Sequence, residues 1–360
     1  MRDRPMIAVD ELARMLNASA DRLVRDLLPD GQRRGAEWVA RCPWRADRSV
    51  GSFSVHLSGA RAGIWGDFAA NEFGDALDLV AKVACNGDKA AAIHWARRWL
   101  GLESGDPAAL RRVRQAIPSP AELDAKADEE AQRAREGARR LWLHATPKVL
   151  DTPLDLYLRG RGVRLAELGR LPGAIRFHPS LWHTTTQAHH PAMVTAIAGP
   201  GGQIGTHRTY LQVVAPGVVR KLTIDGSTRE AKKVMGQFRG GHIAVWRGAS
   251  GKPLREAPAG EIVDVVEGIE DALSLAVVAP EFRIVAAVSL GNMGTLDLPP
   301  QITTVRLWRD ADTGKQAIAA FDRAIEAHLR AGRRVLVAAL DGAKDINEAL
   351  MQDAAEAAHG

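Results

Sequence analysis

The chain has 360 residues, 46% of them hydrophobic and 25% charged, with a formal net charge of +5. That length admits two or three domains, and no apolar run approaches the ~20 residues needed to cross a bilayer. The amino terminus, MRDRPMIAVDELARML, has no apolar secretion core, so the expected location is the cytoplasm, with no membrane partner.

Charge is unevenly distributed. Residues 1–260 hold 39 Lys/Arg against 27 Asp/Glu, and residues 261–350 hold 9 against 14. A basic body beside an acidic module suits a polyanion held by one and a divalent metal by the other. The two cysteines, Cys42 and Cys85, cannot make a four-thiolate zinc site, and a lone disulfide is not expected in the cytoplasm.

Residues 10–29 predict an amphipathic helix, with Leu12, Met15, Leu16, Leu23, Leu27 and Leu28 near helical spacing. Residues 36–70 interleave Trp38, Val39, Phe53, Val55, Ile64, Trp65 and Phe68 with Gly and Ser, as in a small twisted sheet. Residues 74–100 return to helix and stop at Gly101. Pro120 to Trp142 predicts a long solvated helix capped near Ser119, within a linker. Residues 151–260 are Gly-rich, with the strands AMVTAIA, QIGTHRTYL, VRKLTI and HIAVWRG.

Residues 261–350 alternate. EIVDVVEG, RIVAAVSLG, TTVRLWRDAD and RRVLVAAL predict strands; DALSLAVVA, KQAIAAFDRAIEAHLRAG and INEALM predict helices. Apolar strands separated by helices imply a mostly parallel sheet covered on both faces. The domains read from the sequence are residues 1–102, a charged helical linker at 103–149, a basic mixed region at 150–260 and an α/β domain at 261–360.

Three acidic motifs follow strands of that sheet, where ligands bind in open α/β folds. In Val266-Glu267-Gly268-Ile269-Glu270-Asp271, Glu267 ends a buried strand, where an unpaired carboxylate is costly. In Arg309-Asp310-Ala311-Asp312-Thr313-Gly314, the paired carboxylates suit Mg²⁺. In Lys344-Asp345-Ile346-Asn347-Glu348, Asp345 follows the last strand. Each aspartate alone is equally a helix cap or turn residue; three in order on one sheet make the signal. Glu270 and Glu348 read as solvated helix residues, and Asp271 as a dipole partner or a secondary metal contact.

These motifs, with VSLG between the first two, resemble the Toprim domain of bacterial primases, topoisomerases and some nucleases. The resemblance implies Glu267 as general acid/base, Asp310 and Asp312 as Mg²⁺ (or Mn²⁺) ligands together with Glu267, and Asp345 as an accessory ligand. Asn347 departs from the second aspartate that primases often carry there. Upstream, AMVTAIAGPGGQIGTHRTYL and KKVMGQFRGGHIAVW resemble the strand–Gly–strand unit before the primase Toprim sheet. The matching phosphate-facing residues are Arg208 and Lys232 or Lys233, since Arg offers a bidentate fork and Lys a point charge to phosphate; an exposed basic face is the alternative reading.

The segment from Arg41 to Ala81 resembles the zinc ribbon that precedes primase cores. Only Cys42 stands near an expected ligand position, so no zinc is expected and Trp38, Trp44, Phe53, Trp65 and Phe68 are expected to replace it as a core. Trp44, beside Arg41, Arg45 and Arg48, is the candidate base-stacking residue. His178, His183, His189 and His190 read as scattered loop histidines, and Gly248-Ala-Ser-Gly-Lys252 lacks phosphate-loop spacing.

The expected fold is therefore α/β, a Toprim domain preceded by a mixed α+β primase-like subdomain and a zinc-less ribbon-like domain. The expected function is primer synthesis on single-stranded DNA from nucleoside triphosphates, for a phage, plasmid or other mobile element, alongside a separate replicative helicase. The alternatives are a Toprim nuclease or a non-catalytic single-strand-binding accessory protein.

Overall fold

The computed structural model describes residues 7–45, 53–67, 70, 72–102, 120–311, 314–340 and 342–359. Phe68, Arg48, Ser119 and Asp312, all named above, lie outside them. The chain divides into two compact units, Met1–Glu130 and Ala131–Gly360.

In the first unit the single predicted helix is two, α1 (Val9–Ala18) and α2 (Ala20–Leu27), broken at Ser19. Asn17 and Ser19 favour local side-chain hydrogen bonds over a continuing helix, and the Asn17 side chain accepts from the Ala76 amide at 3.2 Å. Five short strands, β1 (Gln32–Arg34), β2 (Glu37–Ala40), β3 (Phe53–His56), β4 (Trp65–Asp67) and β5 (Glu72–Gly74), form an antiparallel meander. Asp75 caps α3 (Ala76–Ala84) through a reciprocal box with Asp78, and Asp88 caps α4 (Lys89–Trp99). Leu12, Met15, Leu16 and Leu23 bury against Leu77, Val80, Ala92 and Ala96.

Phe53 and Trp65 are fully buried under the meander. Trp44 is half-buried against this core. Its ring meets Phe53 and Trp65 edge-on at 5.3 and 5.1 Å, and Lys82 Nζ lies 4.7 Å from its centroid. Packing against two rings removes more apolar surface from water than exposure in a loop allows. Cys42 is buried and Cys85 half-buried, and neither is in a disulfide.

The second unit joins two sheets. After α5 (Pro120–His144), which begins in the first unit, and α6 (Pro153–Arg159) come β6 (Ile175–His183), β7 (Ala188–Gly199), β8 (Gly202–Ala215), β9 (Val218–Lys221) and β10 (Lys232–Gly236). They form an antiparallel sheet in the order β10-β8-β7-β6, with β9 pairing further along the same edge of β8 as β10. All four histidines lie on β6 or β7, and His183, which ends β6, is buried with its ring bonded to Thr186 and the Glu230 carbonyl. They sit on a hairpin, not in a loop.

The second sheet has the order β11-β13-β12-β14-β15, from β11 (Ile243–Arg247), β12 (Ile262–Val266), β13 (Arg283–Ala286), β14 (Thr304–Arg309) and β15 (Arg334–Ala339). The last four run parallel. β11, read from the sequence with the upstream strands, is the antiparallel edge of this sheet. One face packs on α7 (Ile269–Val278), α6 and the first sheet through Ile284, Leu273, Leu158 and Leu211. The other packs on α8 (Lys315–Arg330) through Val263, Val305, Leu307 and Phe321. The helix α9 (Ile346–His359) follows β15.

The strand predicted over RIVAAVSLG stops at Ala286. Val288 takes a left-handed φ of 73°, unfavourable for a β-branched residue, and Leu290–Met293 makes one helical turn. Buried Asn292 holds this bend. Its Nδ2 donates to the carbonyls of Ala287 and Gly241 at 2.8 and 2.9 Å, and its Oδ1 accepts from the Gly240 amide at 2.8 Å. Asn292→Ala leaves those groups unpaired and is expected to lower unfolding free energy by about 1–3 kcal/mol in urea titrations.

Candidate active site

Glu267 lies one residue beyond β12 and Asp310 one beyond β14, adjacent strands of the parallel sheet. Gly268 lets the chain turn into α7 close to a carboxylate: a Cβ there would stand 2.6 Å from Asp271 Oδ2. The Ala311 amide donates to the Lys344 carbonyl at 2.8 Å, which ties the loop after β14 to the loop before α9. Glu267, Asp310 and Lys344 thereby line one cleft of about 200 Å³, backed by Leu290, Met293, Trp308 and Phe321.

Carboxylates crowd this end of the sheet. Burial, then the charges of Asp271, Glu267 and Asp345, pushes Asp310 up to about 7. Burial, then Asp345, raises Asp271 to about 6 against the opposing Asn347 amide, which donates to Asp271 Oδ1 at 3.1 Å. Asp345 also caps α9, its Oδ1 accepting from the Glu348 amide at 2.8 Å. Asn347 is turned inward, its Nδ2 donating to the Arg161 carbonyl and Ser274 Oγ.

Among the described residues no three His, Cys, Asp or Glu side chains already surround a common point. The donor chemistry nonetheless fits a hard divalent cation. Mutually repelling carboxylates at converging strand ends are stabilised in their charged form by such an ion, which takes oxygen ligands and keeps several waters.

The basic residues sort by face. In β10, Lys232 pairs with Thr209 and Lys233 with Arg208; in β9, Lys221 pairs with Leu211. Side chains alternate along strands, so Lys221 and Lys232 share the face of His207, Thr209 and Leu211. Arg208 and Lys233 share the opposite face, where Thr206 Oγ1 donates to the Ala138 carbonyl of α5. Arg208 Nη2 donates to the Val234 carbonyl at 3.1 Å, and Lys233 pairs with Glu230. Of the three cations named from the sequence, Lys232 is the one brought to the acidic end of the unit.

Sequence reasoning missed why. Glu270, read as a solvated helix residue, is 3% exposed. It accepts from Tyr157 Oη and Lys221 Nζ, each at 2.9 Å, and lies 4.0 Å from Lys232 Nζ. Burial alone would raise its carboxyl, but Lys221 and Lys232 overcome that and hold it at about 2. His207, buried beside this group, is kept neutral with its value lowered to about 4 by burial. One signal was available: α7 is apolar on nearly every side, and a charge in such a helix is buried and needs a partner.

Residues 263–356 match the Toprim domain, and residues 132–245 match a domain of unknown function, DUF7146. No curated protein matches the chain. Three solved structures are similar to it. The zinc-binding and RNA polymerase domains of the Aquifex aeolicus primase share 17% identity, over 98% of this chain and 84% of that one, at a TM-score of 0.38. A DNA primase domain from Pseudomonas aeruginosa shares 16%, over 62% and 77%, at 0.42. The primase fragment of the bacteriophage T7 primase-helicase shares 15%, over 56% and 71%, at 0.35. None of these three is close enough to assign an activity.

Glu270→Ala leaves two lysines and a tyrosine hydroxyl without their buried acceptor and is expected to cost about 3–5 kcal/mol in chemical denaturation. Because the Glu270 value is lower in the folded chain than its ordinary 4.5, acid protonates the unfolded state first. Its stabilising contribution is complete above pH 4.5 and fades as pH falls toward 2. Glu270→Gln is expected to show a shallower loss of stability than wild type between pH 5 and pH 2.

Proposed function

We propose that this chain, which carries a Toprim domain over residues 263–356, is a primase-type nucleotidyltransferase. It extends short primers on single-stranded DNA from nucleoside triphosphates, in replication of a phage, plasmid or other mobile element beside a separate helicase. The observation that carries this reading is the juxtaposition of Glu267 and Asp310 with the Lys221–Lys232 face, anchored through Glu270. A triphosphate needs both a cation centre and lysine charge, and α7 connects the two.

Glu267, Asp310 and Asp312 would hold Mg²⁺, with Asp345 as an accessory ligand. The ion supplies charge neutralisation for the triphosphate and a lower pKa for an attacking 3′ hydroxyl. Lys232, 46% exposed at its side chain and 4.0 Å from Glu270, would reach a phosphate oxygen while keeping its charge beside Glu270. Glu267, at the cleft wall, accepts a proton from an approaching hydroxyl. Leu290, Met293 and Phe321 exclude water from one side of the cleft. Arg208 and Lys233, on the other face, would contact template rather than the reacting phosphates.

In an assay with single-stranded DNA, Mg²⁺ and nucleoside triphosphates, the chain is expected to make short oligomers. Asp310→Ala is expected to reduce synthesis at least 100-fold, and Lys232→Ala about 10-fold. Synthesis by Asp310→Ala at the wild-type rate contradicts the assignment. Metal-dependent loss of the labelled strand without added nucleotides would identify a nuclease instead.

A further inference from the structure

A cleft of about 1000 Å³ runs along β11, the edge strand of the Toprim sheet, and shares no lining residue with the acidic cleft. One end is crowded with guanidinium groups. Arg247 pairs across the strands with Arg283. Arg283 is buried and satisfied by Glu261, Ser250 Oγ and the Lys252 carbonyl. Arg170 lies 4.3 Å from the Trp246 ring centroid and donates to the Gly248 carbonyl at 2.9 Å. Among the described residues neither Arg170 nor Arg247 has a carboxylate partner. Burial, then the charges of Arg247 and Arg283, lowers the Arg170 value, as expected of positive charge lacking a counter-ion.

The far end is different. His242 is 6% exposed and lines the cleft, and its Nδ1 is buried with no hydrogen-bond partner. Burial keeps the ring neutral, at about 4. Between the two ends the walls carry Val245, Leu254, Val285 and Leu298, and the charged Asp297 and Arg255 also line the cleft, Arg255 paired with Glu256. At ~3.3 Å per residue, the five strand steps from His242 to Arg247 span about 16 Å.

We infer that this cleft is a second, non-catalytic nucleotide site, which takes a nucleoside polyphosphate with its phosphates on Arg170 and Arg247 and its base at His242. Guanidinium forks match phosphate oxygens in pairs, and the cleft is at the upper end of the range for small-molecule sites. The apolar walls suit a planar base, and a neutral imidazole offers one donor or acceptor to its edge. A nucleic-acid strand fits less well, because it needs cations along its whole path, whereas here Arg170 and Arg247, the two without a carboxylate partner among the described residues, stand together at one end.

The test is calorimetric titration of the full chain with ATP and GTP in EDTA, which silences metal-dependent binding at the acidic centre. At least one nucleotide is expected to bind wild type and Asp310→Asn equally. The Arg170→Ala/Arg247→Ala pair is expected to weaken it at least 20-fold. His242→Ala is expected to weaken the nucleotide about 5-fold and leave inorganic triphosphate unchanged. Arg247 is exposed, so Arg247→Glu gives the charge test without touching the core and should reproduce the loss. Nucleotide binding that is absent from wild type, or unchanged in both arginine variants, overturns the proposal. So does a single-stranded oligonucleotide that binds the cleft more tightly than either nucleotide, with the same arginine dependence.

Discussion

A carboxylate on the second residue of α7 sits at the seam between the two sheets of the second unit, where water cannot reach it. Glu270 is tolerable there only because Tyr157 from α6, Lys221 from β9 and Lys232 from β10 converge on it. Desolvating an ion costs several kcal/mol, and breaking such a group leaves stranded charges. The cluster therefore sets the registration of the antiparallel sheet against α7, the helix that begins two residues after Glu267. The acidic and basic halves of the candidate site are joined through that one side chain.

The same logic separates the roles of the cations. Strand alternation puts Lys221 and Lys232 on the Glu270 face and Arg208 and Lys233 on the α5 face. At the strand ends the opposite imbalance holds: Asp310 and Asp271 are both raised by burial and by neighbouring carboxylates. Excess negative charge at the cleft, with lysines held just behind it, is the electrostatic arrangement that a metal-bound triphosphate fits.

Much of this was legible in the amino-acid sequence. The alternation of apolar strands and helices over 261–350 predicted the parallel sheet, because its period and its strand-end turns are local properties. Glu267 and Asp310 stand one residue beyond strands because strand ends are visible in the same pattern, whereas Asp345 lies further on, at the start of α9. Glu270 was misread because its burial comes from strands β9 and β10, some forty to fifty residues upstream. The side-chain faces of Arg208, Lys232 and Lys233 depend on register with β8, which no local pattern carries. Trp44 packs on Phe53 and Trp65, as expected of the aromatic core, although its arginine neighbours also suggested base stacking. The bend at Val288 depends on Asn292 reaching the Gly240–Gly241 backbone.

The central claim is that the carboxylates at the ends of β12 and β14 form a divalent-cation centre. Titration of Mn²⁺ followed by electron paramagnetic resonance tests it without requiring turnover. Wild type should bind Mn²⁺, with affinity reduced at least 10-fold by Asp310→Asn and by Glu267→Gln, and unchanged by Arg247→Glu in the separate cleft. Mn²⁺ binding that is indifferent to both carboxylate substitutions would contradict the account.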